Sequence, residues 1–256
     1  MRRALLAVPT VPVAMAGIVA TQVLRAAHRS DLPSFPNQDP SGIFGDASSP
    51  PLRMVAVGDS SITSPGVERL DETWVRRVSL ALSDRFRVEL ISLAVGGSKA
   101  KDLVEGQLEE AVRLQPDIAI VSVGSNDAIR GVPPRRFRVE MDHLVSRLEE
   151  AAGGVVVLGM GDLGSIPRLP PLLRPYLSAR SRRFNRICTD VAVSHPRTVK
   201  VWTGGRVSSA FWEDRSLFAD DLFHAGSGGH AVFAEAITPA VEAALVIARR
   251  PEAAAG

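Results

Sequence analysis

Cysteine is nearly absent: Cys188 stands alone among 256 residues. One thiol cannot close an internal disulfide, and a zinc site built on cysteines is excluded. Its setting, Arg-Phe-Asn-Arg-Ile-Cys-Thr-Asp-Val-Ala, reads as the apolar face of a helix and predicts core packing. No group of His, Asp and Glu has metal-ligand spacing, so neither a metal nor another cofactor is expected. A basic body is also lacking. The 30 basic side chains outnumber the 28 acidic ones only through Arg2, Arg3, Arg25 and Arg29, which lie in an opening stretch free of acid. Without those four the remainder carries about −2, whereas a nucleic-acid binder needs positive charge on its folded body. Nucleic acid is therefore not an expected partner. No internal repeat is present.

Charge is missing altogether from residues 4–24. As a helix this run would span roughly 30 Å, the thickness of a bilayer core. Two uses fit it. A signal peptide would place its apolar region at residues 4–13 and its cleavage after Ala14-Met15-Ala16; a retained anchor would use the whole run. Either implies a membrane-anchored or secreted protein with an extracytoplasmic domain. Residues 31–51 are rich in Pro, Gly and Ser and keep no apolar period, which reads as a linker. The expected division is a signal or anchor segment (1–30), that linker (31–51), a globular domain (52–250) and a short tail (251–256).

Within the domain, short apolar runs alternate with longer amphipathic stretches. Strands are expected at 52–57, 88–95, 117–123, 155–160 and, more weakly, 198–202. Helices are expected at 73–85, 101–114, 135–152, 177–193 and 228–249. Strands that are apolar throughout must be buried on both faces, the habit of a parallel sheet covered by helices. The pattern predicts a three-layer α/β/α sandwich with a parallel sheet of about five strands. In such a sheet the functional site lies beyond the carboxyl ends of the strands.

Those ends carry the chemistry. The first strand stops at Gly58-Asp59-Ser60-Ser61, the second at Val95-Gly96-Gly97-Ser98, the third at Gly124-Ser125-Asn126-Asp127. Asp221-Leu222-Phe223-His224 precedes the last helix. Acyl transfer needs a hydroxyl, a base to deprotonate it, a carboxylate to orient that base, and donors for an oxyanion. Ser60 follows a tight turn at a strand end. Asp221 and His224, three apart, can meet across one turn. Gly97 offers an unobstructed backbone N–H, and Asn126 a neutral amide.

This ordered set resembles the SGNH hydrolase superfamily, the GDSL-type esterases and lipases, over about residues 52–248. The resemblance implies a flavodoxin-like fold and a serine hydrolase of ester bonds. By it Ser60 is the nucleophile and, with Gly97 and Asn126, an oxyanion donor; His224 is the base and Asp221 its partner. The chain departs from the usual pattern at Ser61, where an apolar residue is common, and in Leu-Ala-Val-Gly-Gly. The implied substrate is a lipid, small acyl or acetylated-glycan ester. An acyltransferase using the same triad and a non-catalytic binding module on the same fold are the alternatives.

Several neighbours have plainer expectations. Asp59 organises the turn beside Ser60, and Asp127 caps the following segment or orients Asn126. His230 lies six residues past His224 but has no carboxylate three before it. Arg174, Arg180, Arg182, Arg183 and Arg186 form a basic run, read as a solvated face or, less readily, as an attractor for an anionic substrate or head group. Residues 161–175 are either a connection or a rim over the site.

Overall fold

The computed structural model describes residues 21–22 and 30–249. The expected N-terminal helix and the tail past 250 lie outside the described residues, apart from Thr21 and Gln22. A six-stranded sheet runs in the order β1-β3-β2-β4-β5-β6. Its strands are β1 (Gly42–Phe44), β2 (Pro51–Gly58), β3 (Arg87–Ser92), β4 (Ile118–Ser122), β5 (Gly154–Leu158) and β6 (Thr198–Val201). Strands β2 to β6 pair in parallel. These are the five strands that the apolar runs predicted.

The sixth was not expected. β1 lies in the segment read as linker and pairs antiparallel with β3, Phe44 opposite Val88. Three residues are too short to show a period of two, and the surrounding prolines and glycines hide them. Phe44 is nonetheless buried, and the segment just before β1 is tied down. The Gln38 N–H donates to Thr63 O at 2.8 Å and its side-chain amide donates to Val67 O.

Side chains alternate across each central strand and so build two cores. Val55, Val57, Ala119, Val121, Val155 and Val157 face one side. That side is covered by α3 (Ala100–Gly106), α4 (Leu108–Arg113), α6 (Pro134–Ala151) and α7 (Arg174–Ser194). Met54, Ala56, Ile118, Ile120, Val156 and Leu158 face the other, against α2 (Trp74–Leu82) and α9 (Ser227–Ala248). Helix α9 is long and apolar enough to cross a membrane, yet Ile237, Val241 and Leu245 pack it onto the sheet. Cys188 sits in the α7 core, where burial pushes its thiol up to about 11.

Three short helices lie near the strand ends: α1 (Ser60–Thr63), α5 (Ser125–Ile129) and α8 (Arg206–Glu213). The single helix expected over 101–114 is broken at Gln107, between α3 and α4. That break has a local cause. The buried Gln107 side chain accepts from Gly58 N at 2.8 Å and donates to Gly58 O at 3.0 Å, closing the end of β2.

Candidate active site

Ser60 owes its position to what brackets it. Gly58 ends the central strand so close to β4 that an added Cβ would lie 2.3 Å from Ser122 O and 2.7 Å from Ile62 Cδ1. Only glycine fits there. Asp59 then caps α1, its Oδ1 accepting from Ser61 N at 2.9 Å. Ser60 is the first residue of that helix, half-buried, and its hydroxyl makes no hydrogen bond among the described residues. The expected turn-organising role of Asp59 is what the geometry gives.

Asp221 and His224 belong to a compact loop. Phe218 and Ala225 bridge its ends, and Ala219 N donates to His224 O at 2.8 Å. Leu222, at φ 57°, makes the left-handed turn that lets the carboxylate and the imidazole face each other. His224 Nδ1 lies 2.6 Å from Asp221 Oδ2. Asp221 Oδ1 accepts from the backbone N–H groups of Phe223 and His224 at 2.9 and 3.0 Å. Burial pushes the Asp221 carboxyl up, but these three hydrogen bonds outweigh it and hold the group below the usual carboxylate range. An ionised carboxylate beside Nδ1 favours the tautomer with its proton on that nitrogen and leaves Nε2 open to accept one.

Ser60 and His224 line one cavity of about 130 Å³. Leu163, Ile166, Phe211, Phe218 and Phe233 form its apolar wall. Residues 161–166, the first part of the possible rim noted in the sequence, contribute Gly161, Asp162, Leu163, Ser165 and Ile166. Helix α8, which supplies Phe211, was not foreseen; it is eight residues long and directly follows Gly204-Gly205.

The other two predicted donors stand apart from this wall. Gly97 adopts φ +81° and is open, with only Arg130 Nη2 at 3.5 Å from an added Cβ. Asn126 Nδ2 donates to Asp59 Oδ2 and to Ser98 O, both at 3.2 Å. Its two amide hydrogens are therefore already engaged. Asp127 is fully buried: Oδ2 accepts from Ala100 N at 3.1 Å, while Oδ1 has no partner. Burial, with Glu140 and Asp59 nearby, raises it to about 6. Its cap is thus on α3 rather than on its own segment.

His230 also borders the cavity. It is 2% exposed, and its Nδ1 accepts from Trp74 N at 3.1 Å. That bond fixes the neutral Nε2–H tautomer, and burial, with Arg77 and His224 near, lowers the ring to about 3. A histidine in this state cannot serve as the base. Gln107 and the apolar wall are the site elements that sequence reasoning missed.

Comparison with known proteins agrees with this architecture. The GDSL-like Lipase/Acylhydrolase family profile matches residues 56–232, a span that includes Ser60, Gly97, Asn126, Asp221 and His224. A GDSL-like esterase of Mycobacterium tuberculosis is 28% identical over 201 residues, 76% of this chain and 63% of that protein. The chain thus spans under two thirds of that relative's length. An acetylxylan esterase from Geobacillus stearothermophilus, solved as a catalytic mutant, superposes with a TM-score of 0.61 at 17% identity. It covers 75% of this chain and 95% of its own. The structure of TesA gives 0.60 at 19% identity, covering 75% and 99%. At such identities the likeness to these structures is one of fold. With more than half its length matched by the family profile, the chain belongs to the GDSL-like lipase/acylhydrolase family of the SGNH superfamily, a family of ester-hydrolysing enzymes.

Proposed function

We propose that the protein is a serine esterase acting through an acyl-enzyme on Ser60. The observation that carries this is that His224, bonded to Asp221, lines one apolar cavity with Ser60, whose hydroxyl at a helix start has no hydrogen bond among the described residues. In the proposed cycle Ser60 Oγ attacks the ester carbonyl and its proton passes to His224 Nε2. The carbonyl oxygen takes the negative charge, facing the Ser60 N–H, the Gly97 N–H and the Asn126 amide. Asn126 would exchange its bond to Asp59 or Ser98 for this oxyanion. Collapse expels the alcohol, which receives the proton from His224. Water then attacks the acyl carbon, giving a proton to His224, and Ser60 Oγ leaves with that proton as the acid is released.

The cavity bears on the acyl group. About 130 Å³ is close to the ~150 Å³ apolar cavity that holds benzene, so it suits a short acyl chain or one small ring. Its aromatic wall favours apolar carbon over an acid tail. The uncharged run at residues 4–24 supports export or membrane attachment of the domain.

A fluorophosphonate probe tests the reading. The expected adduct is on Ser60, located by peptide mass spectrometry, and it is lost in His224→Ala. A folded protein that takes no label would sink the proposal.

A further inference from the structure

A second cavity, of about 480 Å³, shares Asp162 and Ser208 with the first as a common wall. Its chemistry is the opposite. Arg182 and Arg186, one turn apart on α7, and Lys200 on β6 supply three cations to its lining. Trp202, 70% exposed, stands at its edge.

The two arginines are not consumed by the fold. Among the described residues neither Arg182 nor Arg186 has a carboxylate partner, and Asp190 on the same helix is taken by Arg138. The Lys200 ammonium donates to the Val201 carbonyl. Its burial disfavours the charge, and the nearby Cys188 thiol stays neutral. Gly159 is what lets the lysine in, because a Cβ there would stand 2.6 Å from Lys200 Nζ. Gly204 and Gly205 bring the start of α8 to the same cavity, and Gly205 has no side chain to cap it. The first N–H groups of that helix add partial positive charge. The acid present, Asp162, is already engaged: Oδ1 accepts from Gly164 N at 2.9 Å and Oδ2 from Trp212 Nε1 at 3.0 Å.

We propose that this cavity binds an oxyanion, a phosphate or a carboxylate, carried on the alcohol portion of the ester. The assignment rests on the esterase reading above: with the acyl group in the apolar cavity, the alcohol portion crosses the Asp162–Ser208 wall. Arg182 and Arg186 grip the oxyanion by charge-assisted hydrogen bonds, and Trp202 offers a face to the carbon skeleton.

The test pairs binding with turnover in the full chain. Titration calorimetry on Ser60→Ala protein uses glycerol 3-phosphate, glucuronate, glycerol and glucose as probes. Turnover uses butyryl esters of the same four alcohols. The charged probes bind, the neutral ones do not, and the charged esters show kcat/KM higher by roughly ten- to a hundredfold, mostly through KM. A stronger response to the phosphate assigns a phosphorylated alcohol; a stronger response to glucuronate assigns an acidic sugar. Arg182→Gln/Arg186→Gln removes the preference and leaves turnover of the neutral esters unchanged. Equal binding and turnover of charged and neutral probes, or a preference that survives the double variant, overturns the proposal. Charged-probe binding in a wild-type protein that cleaves none of the four esters and takes no fluorophosphonate label overturns the esterase reading, and the substrate assignment with it.

Discussion

Acidification should weaken this fold through His230, and the size of the effect follows from two pKa values. The ring has its ordinary value of 6.5 when unfolded and about 3 when folded, because it is buried with Arg77 and His224 nearby. The unfolded chain therefore binds the extra proton between those values, so stability is full above 6.5 and is lost as pH falls toward 3. Between pH 7 and pH 5 the loss is about 2 kcal/mol, because each pH step of one below 6.5 costs about 1.4 kcal/mol. Asp127 runs the other way. Its carboxyl is raised to about 6 from 3.8, so it costs the fold stability at pH 7. That penalty is relieved by about 1 kcal/mol over the same interval. The wild-type profile alone would thus hide the histidine.

The His230→Asn variant separates the two. Its Oδ1 can still accept the Trp74 N–H, but it takes up no proton. Urea unfolding of both proteins at pH 7 and pH 5 gives the readout. The variant should be the less stable one at pH 7, through lost packing, and the gap should shrink by about 2 kcal/mol at pH 5. A gap of the same size at both pH values would refute the argument, because it would mean that the ring takes up its proton equally in both states.

Other consequences concern the site and its support. Asp221→Asn keeps the shape but loses the carboxylate that fixes the His224 tautomer, so kcat for an ester should fall by about 10⁴-fold with KM little changed. Gln107→Leu strands the buried Gly58 N–H, while Gly58 O keeps its bond from Val95 N, and should cost about 1–3 kcal/mol in thermal or urea unfolding. Phe211→Ala enlarges the apolar cavity, so the ratio of hexanoyl to acetyl ester turnover should rise several-fold; an unchanged ratio would place the acyl group elsewhere.

How much of this was legible depends on whether a feature is local in sequence. The five parallel strands announced themselves because apolar runs such as residues 117–123 need burial on both faces. The residues of the site stood at strand ends, and Asp221 and His224 lie within one turn of each other. Strand β1 was hidden because its partner, β3, is over forty residues away and three residues carry no period. The Gln107 clamp joins residues 49 apart, and a glutamine inside a helical pattern gives no sign of it. The neutrality of His230 depends on a bond to Trp74, 156 residues distant. Asn126 was legible as an amide at a strand end, but its engagement by Asp59 and Ser98 was not.

The same division separates chemistry from selectivity. Ser60 is set by the end of β2, while Asp221 and His224 are set by the loop before α9; both are short, self-bonded turns on rigid elements. Much of the walls of the two cavities comes instead from residues 161–166 and α8, where Asp162 and Ser208 meet, with Phe218, Phe223 and Phe233 added from the Asp221 loop and α9. Arg168, beyond residue 166, does hold the Asp221 loop, its N–H donating to Leu222 O at 3.0 Å, whereas residues 161–166 and α8 line the cavities. Substitutions in residues 161–166 or in α8 should therefore change which ester is accepted through KM, and leave the labelling of Ser60 by a small fluorophosphonate intact. The fold can keep its reaction while its substrate changes, because residues 161–166 and α8 lie outside the turns that hold Ser60, Asp221 and His224.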